Sequence, residues 1–146
     1  MSAKIIDGNK IAADIRNEVS QKVMIVNKTY EKSPGLAVVL IGSNPASLSY
    51  VKGKEKDCSD VGIVTKTFRL EENISEEDVL HLIEKLNNDN NYHGILTQLP
   101  FPNHLNERTI INSIHPLKDV DGIGVHNAGF LAIESPQFVP ATPLGI

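Results

Sequence analysis

The sequence contains no tryptophan, a single cysteine and no long run of apolar residues. Since Cys58 is the only cysteine among the 146 residues, no disulfide can form within the chain, which is typical of proteins from a reducing compartment. No apolar stretch approaches the roughly 18 residues of a membrane-spanning helix. The first residues show neither an apolar signal core nor an Arg-rich amphipathic leader. We therefore expect a cytoplasmic protein without a membrane partner.

The charge of the chain is small and forms no block of either sign. The 14 Lys and Arg residues against 18 Asp and Glu residues give a net charge of −4. This balance argues against nucleic acid as the main partner, but it permits a small anionic ligand, which needs only local positive charge. Hydrophobic residues make up 40% and charged residues 22%, as in an ordinary globular protein, and we place one domain over residues 1–146.

Helical and strand patterns alternate along the chain. Apolar residues follow the helical period from Asn9 to about Tyr30, and the continuous apolar run from Leu36 to Ile41 predicts a strand that is buried on both faces. The same criteria predict, in chain order, a helix over 45–61, a strand over 63–68, a helix over 75–86, a strand over 94–99 and a helix over 106–114. These βαβ units predict an α/β fold with a mainly parallel sheet flanked by helices, a three-layer sandwich.

Several helix ends carry local signals. Asn44 can cap the second helix, and Pro45 suits its first position because proline has no N–H to leave unpaired. Gly62 is expected to end that helix, and Ser75 to cap the next one. From residue 115 to Gly129 the sequence predicts mainly turns.

The second predicted helix carries a polar stripe. Helical spacing places Ser47, Tyr50 and Lys54 on one face, since residues three and four apart are neighbours on a helix surface. A hydroxyl, an aromatic ring with a polar tip and a titratable amine together are typical of an active-site wall. The alternative is that Lys54 is a solvated surface lysine, as most lysines are.

Polar segments from distant parts of the chain converge at one edge of the predicted sheet. Ligands of parallel sheets bind beyond the carboxyl ends of the strands. Residues 42–54 follow the first buried strand, Gln98 ends the third, and residues 118–122 follow the next helix. The Gln98 amide could orient a neighbouring amine or satisfy loop backbone. One of Asp119 and Asp121 is expected to serve a turn, because Asp-Gly is a common turn pair.

No pattern in the sequence predicts a metal or a nucleotide. The two alternating carboxylates are too few for Ca²⁺, which takes six or more oxygen ligands. The five histidines have no metal-ligand spacing, and neither a Gly-x-Gly-x-x-Gly motif nor a P-loop occurs. We expect no metal site and no cofactor-binding residues in this chain.

Five motifs occur in order that together resemble a known family, the methylenetetrahydrofolate dehydrogenase / methenyltetrahydrofolate cyclohydrolases, over the N-terminal half of its members. The motifs are Gly42-Ser43-Asn44-Pro45-Ala46-Ser47, Ser49-Tyr50-Val51-x-x-Lys54, Gln98-Leu99-Pro100-x-Pro102, Lys118-Asp119-Val120-Asp121-Gly122 and Pro140-Ala141-Thr142-Pro143-x-Gly145. The opening Lys4-Ile5-Ile6-Asp7-Gly8 matches as well. Each motif alone is weak, but five in order make a strong resemblance, which covers about residue 3 to residue 146.

The resemblance implies a bifunctional folate enzyme. Such enzymes oxidise 5,10-methylenetetrahydrofolate with NADP⁺, or with NAD⁺ in some members, and hydrolyse the methenyl product to 10-formyltetrahydrofolate. A folate-binding catalytic domain precedes an NADP-binding Rossmann domain in the family, and we expect the latter to be absent from this chain. The family is commonly dimeric, so a homodimer is expected for the full-length protein. The alternatives are a truncated non-catalytic folate-binding or regulatory module, and a generic α/β interaction domain.

The resemblance also implies roles for individual residues. The catalytic residues implied are Lys54, Tyr50 and Gln98: Lys54 is expected to be the catalytic amine, Tyr50 to pack against the folate, and Gln98 to hydrogen-bond Lys54. Asp121 is expected to hold the polar edge of the pterin. The substrate-binding residues implied in this way are Ser47, Tyr50, Lys54, Gln98, Leu99, Pro100 and Asp121.

Overall fold

Helices and strands alternate along most of the chain. The computed structural model describes residues 5–145, so Lys4, which opens one family motif, and Ile146 lie outside the described residues. The elements are α1 (Gly8–Tyr30), β1 (Gly35–Ile41), α2 (Pro45–Val61), β2 (Val64–Leu70), α3 (Glu76–Asn88), β3 (Gly94–Gln98), α4 (Glu107–Asn112), α5 (Val125–Ala132) and α6 (Ala141–Leu144).

The three strands form one parallel sheet in the order β2-β1-β3. β1 pairs with β2 along its whole length, and its residues 36–40 pair with β3. An isolated bridge between Ile95 and Asp119 attaches the segment after α4 to β3. Because β1 has a strand on each side and helices above and below, its residues from Ala37 to Ile41 are all buried, as the continuous apolar run predicted.

Side chains from alternate positions of β1 enter two separate cores. Ala37, Val39 and Ile41 belong to the larger core, which also contains Val79, Ile83 and Leu86 of α3 and Ile110 of α4. Val38 and Leu40 point to the opposite face, where they pack with Val51 of α2 and Leu96 of β3. Helices therefore cover both faces of the sheet, which confirms the predicted α/β fold with a parallel sheet flanked by helices.

The predicted helix signals at Asn44, Gly62 and Ser75 are confirmed. Asn44 caps α2 with its side chain, and Gly62 ends the helix in the left-handed region at φ 86°. The Ser75 side chain accepts a hydrogen bond from the third residue after it, as an N-cap does.

The prediction of turns as far as Gly129 was wrong over its last third, because α5 begins at Val125. This helix has no local side-chain cap, since its N-cap residue is Gly124. Its first N–H groups are satisfied by distant side chains instead: Asn112 Oδ1 accepts from the Val125 N–H (2.9 Å), and Asp119 Oδ2 accepts from the Gly124 N–H (2.8 Å). A start that depends on tertiary contacts leaves no signal in the local sequence.

Across residues 5–145, none of the helices combines the length and the hydropathy needed to cross a bilayer.

Gly35 anchors the start of β1 to the turn before β3. Its N–H donates to His93 Nδ1 (3.0 Å), and its carbonyl accepts from the His93 N–H (2.8 Å). A Cβ at this position would lie 1.8 Å from the Asn91 carbonyl oxygen. A residue larger than glycine can therefore fit here only if two backbone segments separate.

We expect Gly35→Ala to lower the free energy of unfolding by about 1–3 kcal/mol, since backbone must move to relieve the clash. Gly129→Ala is the matched control, because a Cβ in the middle of α5 would meet nothing within 4 Å. The control should be neutral or gain about 0.5–1 kcal/mol from the better helix propensity of alanine. Urea unfolding measures both, and equal midpoints for Gly35→Ala and the wild type would contradict the prediction.

Candidate active site

The polar stripe of α2 lies at the carboxyl edge of the sheet, because only three residues separate the end of β1 from the start of α2, with Asn44 as its N-cap. The three side chains of the stripe differ in exposure: Ser47 is 3% exposed, Lys54 is half-buried and Tyr50 is 67% exposed. The Tyr50 ring is therefore open to a ligand, whereas the Ser47 side chain is covered. Lys54 is not the fully solvated lysine of the alternative interpretation.

Lys54 and Gln98 are joined by a hydrogen bond although 44 residues separate them in sequence. Lys54 Nζ donates to Gln98 Oε1 over 3.2 Å. The other end of the amide, Gln98 Nε2, donates to the Leu99 carbonyl oxygen (2.8 Å), which turns Oε1 towards the amine. Gln98 thus does both things that the sequence left open: it bonds loop backbone and it orients a neighbouring amine.

Asp119 and Asp121 have different environments although only one residue separates them. Asp119 is 2% exposed, and its carboxylate accepts hydrogen bonds from the Gly122 N–H (3.1 Å), the Gly124 N–H (2.8 Å) and Asn127 Nδ2 (2.9 Å). Asp121 is half-buried, and no hydrogen bond from residues 5–145 is among the causes that shift the pKa of its carboxyl group. Asp119 therefore has the turn role that the sequence predicted for one of the pair.

The electrostatic surroundings of Asp121 link it to Lys54. Burial raises the pKa of the Asp121 carboxyl above its ordinary value, because desolvation disfavours the charged form. The positive charge of Lys54 acts in the opposite direction, and the negative charge of Asp119 raises the pKa further. Since Coulomb interactions weaken with distance, the Lys54 amine lies within electrostatic range of the Asp121 carboxyl.

The remaining predicted site residues, Leu99 and Pro100, directly follow Gln98. The Leu99 side chain packs partly against the larger core, so its carbonyl oxygen is the group that it presents to Gln98. Pro100 lines a cavity of about 300 Å³ at the same edge, together with Gly42, Ser43, Asn44 and Glu72 among others. Glu72 was missed by sequence reasoning, because nothing in its local sequence indicates that it faces this turn.

A larger hollow lies elsewhere and contains none of the predicted site residues. Its volume is about 930 Å³, and it is lined by residues of α3 and by residues 89–91 of the following loop. Size alone therefore does not locate the site. At the carboxyl edge of the sheet, in contrast, Lys54 and Gln98 meet, and Lys54 acts electrostatically on Asp121.

Residues 5–145 contain no cluster of three or more His, Cys, Asp or Glu side chains able to hold a metal ion. The start of α2 does not fit the pyrophosphate of a dinucleotide, which binds to free N–H groups at a helix N-terminus. Asn44 Oδ1 already accepts from the N–H groups of Ala46 (2.9 Å) and Ser47 (3.3 Å), and Pro45 has no N–H to offer. The Asn44 side chain thus occupies the N–H groups that a phosphate would need.

Asn127 is a further residue that sequence reasoning missed. It is buried on α5, and its Nδ2 atom donates to the Pro116 carbonyl oxygen (3.0 Å) and to Asp119 Oδ2 (2.9 Å). A lone asparagine in a segment that was predicted to form turns carries no recognisable signal. Its contacts become visible only when α5 packs against the Asp119 turn.

A family model and several solved structures match this chain. The model for "Tetrahydrofolate dehydrogenase/cyclohydrolase, catalytic domain" matches residues 6–121. The bifunctional methylenetetrahydrofolate dehydrogenase/cyclohydrolase FolD from Campylobacter jejuni is 43% identical with a TM-score of 0.92, over 95% of this chain and 49% of that one. The 5,10-methylenetetrahydrofolate dehydrogenase from the silkworm Bombyx mori is 38% identical with a TM-score of 0.94, over 98% and 49%.

A third solved structure carries a bound cofactor. The methylenetetrahydrofolate dehydrogenase-cyclohydrolase from Trypanosoma brucei, which is complexed with NADP and an inhibitor, is 31% identical with a TM-score of 0.91, over 97% of this chain and 49% of that one. The chain spans about half the length of all three of these relatives.

Asp121→Asn should make the protein at least as stable as the wild type at neutral pH. Burial raises the folded-state pKa of Asp121 above its unfolded value of about 3.9. The protonated carboxyl therefore contributes its full stabilisation below the unfolded pKa. This contribution is lost as the pH rises through the folded-state pKa. The neutral amide avoids the cost of ionisation at neutral pH, and the gain should vanish in acid. Urea unfolding at a series of pH values measures the difference.

Asp119→Asn is the matched control, and it should change stability in the opposite direction. The variant loses acceptors for buried N–H groups, which costs about 1–3 kcal/mol of unfolding free energy at neutral pH. Equal destabilisation of the two variants would mean that Asp121 also holds the turn.

Proposed function

This chain belongs to the tetrahydrofolate dehydrogenase/cyclohydrolase family, and we propose that it is the folate-binding catalytic half of a bifunctional enzyme. The enzyme oxidises 5,10-methylenetetrahydrofolate to the methenyl form and hydrolyses that form to 10-formyltetrahydrofolate. The observation that carries the proposal is the Lys54–Gln98 hydrogen bond beside the Asp121 carboxyl. We assign residues 1–146 to this one domain.

The pterin of the substrate lies against Tyr50 and Asp121 in this proposal. The exposed Tyr50 ring offers a flat surface to a flat heteroaromatic ring system. The Asp121 carboxylate can accept two hydrogen bonds from adjacent N–H groups, a geometry that selects the pterin edge. The resemblance also assigns Gln98, Leu99 and Pro100 to the folate site, and it gives the covered Ser47 a lesser part.

Hydrolysis needs a group that moves protons at the methenyl carbon. Water attacks this carbon and forms a C–O bond, and Lys54 Nζ accepts the proton that the water loses. The same amine returns a proton to N5 as the C–N5 bond breaks, while the hydroxyl of the intermediate loses its proton to solvent and becomes the formyl oxygen. Gln98 keeps Nζ in place through Oε1 and adds no charge beside a cationic substrate.

Oxidation of the methylene group requires a hydride acceptor, and NADP is the candidate because the Trypanosoma brucei relative is complexed with it. The start of α2 does not fit a dinucleotide, since its N–H groups are already bonded to Asn44. We therefore assign the folate half of the reaction to these residues.

The location and partners of the protein are proposed on other grounds. The single cysteine and the slight negative charge support a cytoplasmic protein whose partner is a small folate and not a nucleic acid. A homodimer of the full-length protein is proposed from the family alone, and light scattering would test it.

A second candidate function is a folate-binding module without catalysis. It is favoured by one observation, that the chain matches only about half the length of its relatives. Calorimetric titration with tetrahydrofolate, combined with an activity assay, separates the two candidates. Binding without turnover supports the module, turnover supports the enzyme, and the absence of binding contradicts both.

Lys54→Ala should slow the hydrolysis of methenyltetrahydrofolate at least about 100-fold, because general acid–base catalysis contributes a factor of about 10²–10⁴. The reaction is followed by the loss of methenyltetrahydrofolate absorbance. Lys56→Ala is the matched control, since Lys56 lies on the same helix but pairs with Asp60 in solvent (2.8 Å). An unchanged rate for Lys54→Ala, or an equal loss for both variants, would show that Lys54 is not the catalytic amine.

A further inference from the structure

Residues 119–127 fold around one buried carboxylate. Both oxygens of Asp119 accept hydrogen bonds: Oδ1 from the Gly122 N–H, and Oδ2 from the Gly124 N–H and Asn127 Nδ2. The Asp119 carbonyl oxygen accepts from the Gly122 N–H as well (3.1 Å). The turn and the first residues of α5 are thus held by donors that converge on a single side chain.

This carboxylate is attached to the sheet. Asp119 forms a bridge with Ile95 of β3, and the Ile95 N–H donates to the Lys118 carbonyl oxygen over 2.7 Å. β3 also carries Gln98, which bonds the Lys54 amine. The turn that follows Asp119 is therefore attached to β3, the same strand that carries Gln98 of the proposed catalytic pair.

Asp121 lies between two fixed points of this turn. Asp119 lies two positions before it, and Gly122 follows it directly. The Gly122 N–H donates to both Oδ1 and the carbonyl oxygen of Asp119. Gly122 has φ 65°, and a Cβ there would lie 3.0 Å from the Phe138 carbonyl oxygen, so the chain has one narrow path at this point. The backbone of Asp121 has little freedom as a consequence.

We propose that Asp119 is a positioning residue for Asp121: its buried carboxylate holds the turn that aims the Asp121 carboxylate at the pterin. The inference rests on the proposed function, because it requires Asp121 to bind the folate. It goes further than that function, because it assigns to Asp119 and to its donor Asn127 a role in substrate affinity in addition to their role in stability.

Asp119 also acts on Asp121 through its charge, which provides a readout that loss of structure would not mimic. The charged groups that act on the Asp121 carboxyl are Lys54 from α2 and Asp119 from the same turn. Lys54 lowers the pKa of Asp121 and Asp119 raises it. Replacing Asp119 by a neutral residue should therefore lower the pKa of Asp121, so that the carboxylate stays ionised at lower pH.

The test is the dissociation constant of tetrahydrofolate for the full chain, measured by calorimetry from acid to neutral pH. Asp119→Asn should weaken binding at neutral pH about tenfold or more, since paired hydrogen bonds to a carboxylate depend on its orientation. The acid limb of the binding profile should at the same time move to lower pH. A damaged fold would also lose affinity, whereas a shift of the acid limb reports the removal of the Asp119 charge beside Asp121.

Two further variants complete the experiment. Asn112→Ala is the control, because Asn112 accepts a hydrogen bond from the Val125 N–H at the start of α5 and is not among the groups that bond the Asp119 carboxylate. It should leave both the dissociation constant and the acid limb unchanged. Asn127→Ala removes one donor from the carboxylate and keeps its charge, so it should weaken binding several-fold without moving the limb. This variant also keeps the inference testable if Asp119→Asn does not fold.

Failure of the inference can be told from failure of the proposed function with Asp121→Asn. If this variant binds tetrahydrofolate as the wild type does, or if the wild type does not bind at all, the proposed site is wrong and the inference falls with it. If Asp121→Asn binds weakly while Asp119→Asn keeps the wild-type constant or the wild-type acid limb, only the positioning role is overturned. Wild-type affinity in Asn127→Ala would overturn it as well.

Discussion

The pairing of β1 with β3 in a parallel sheet brings the proposed catalytic groups together. Parallel pairing sends the carboxyl ends of both strands to one edge, where α2 starts after β1 and Gln98 ends β3. The pairing is stable because β1 is buried on both faces, and its backbone groups would have no other partners there. The 3.2 Å contact between Lys54 and Gln98 follows from this arrangement and could not survive a change in strand order.

The two aspartates of one turn illustrate how environment divides function between identical side chains. Asp119 is surrounded by donors, so burial is compensated and the residue supports the fold. Asp121 is desolvated without such donors, which raises its pKa and leaves an acceptor for a ligand. A carboxylate kept in this state works against the stability of the empty site, as is common where proteins bind substrates.

The amide of Gln98 solves a related problem at the other side of the site. In the proposed mechanism the Lys54 amine exchanges protons and needs a fixed direction, which a neutral amide provides without adding charge. The amide orients Lys54 through one oxygen and is itself oriented by the Leu99 carbonyl. The solved structures of methylenetetrahydrofolate dehydrogenases match nearly the whole chain, so this amide lies within the part that resembles them.

Local interactions made much of the fold predictable from the sequence. The apolar run of β1, the caps at Asn44 and Ser75 and the end of α2 at Gly62 all depend on neighbouring residues, so their signals are local, and the ordered motifs identified the family. Tertiary structure alone decided that α5 begins at Val125, that Asp119 serves the turn, and that Ser47 is covered while Tyr50 is open. The physical reason is that burial and long-range hydrogen bonds are set by segments far apart in the chain, whereas periodicity and capping report only the nearest turn.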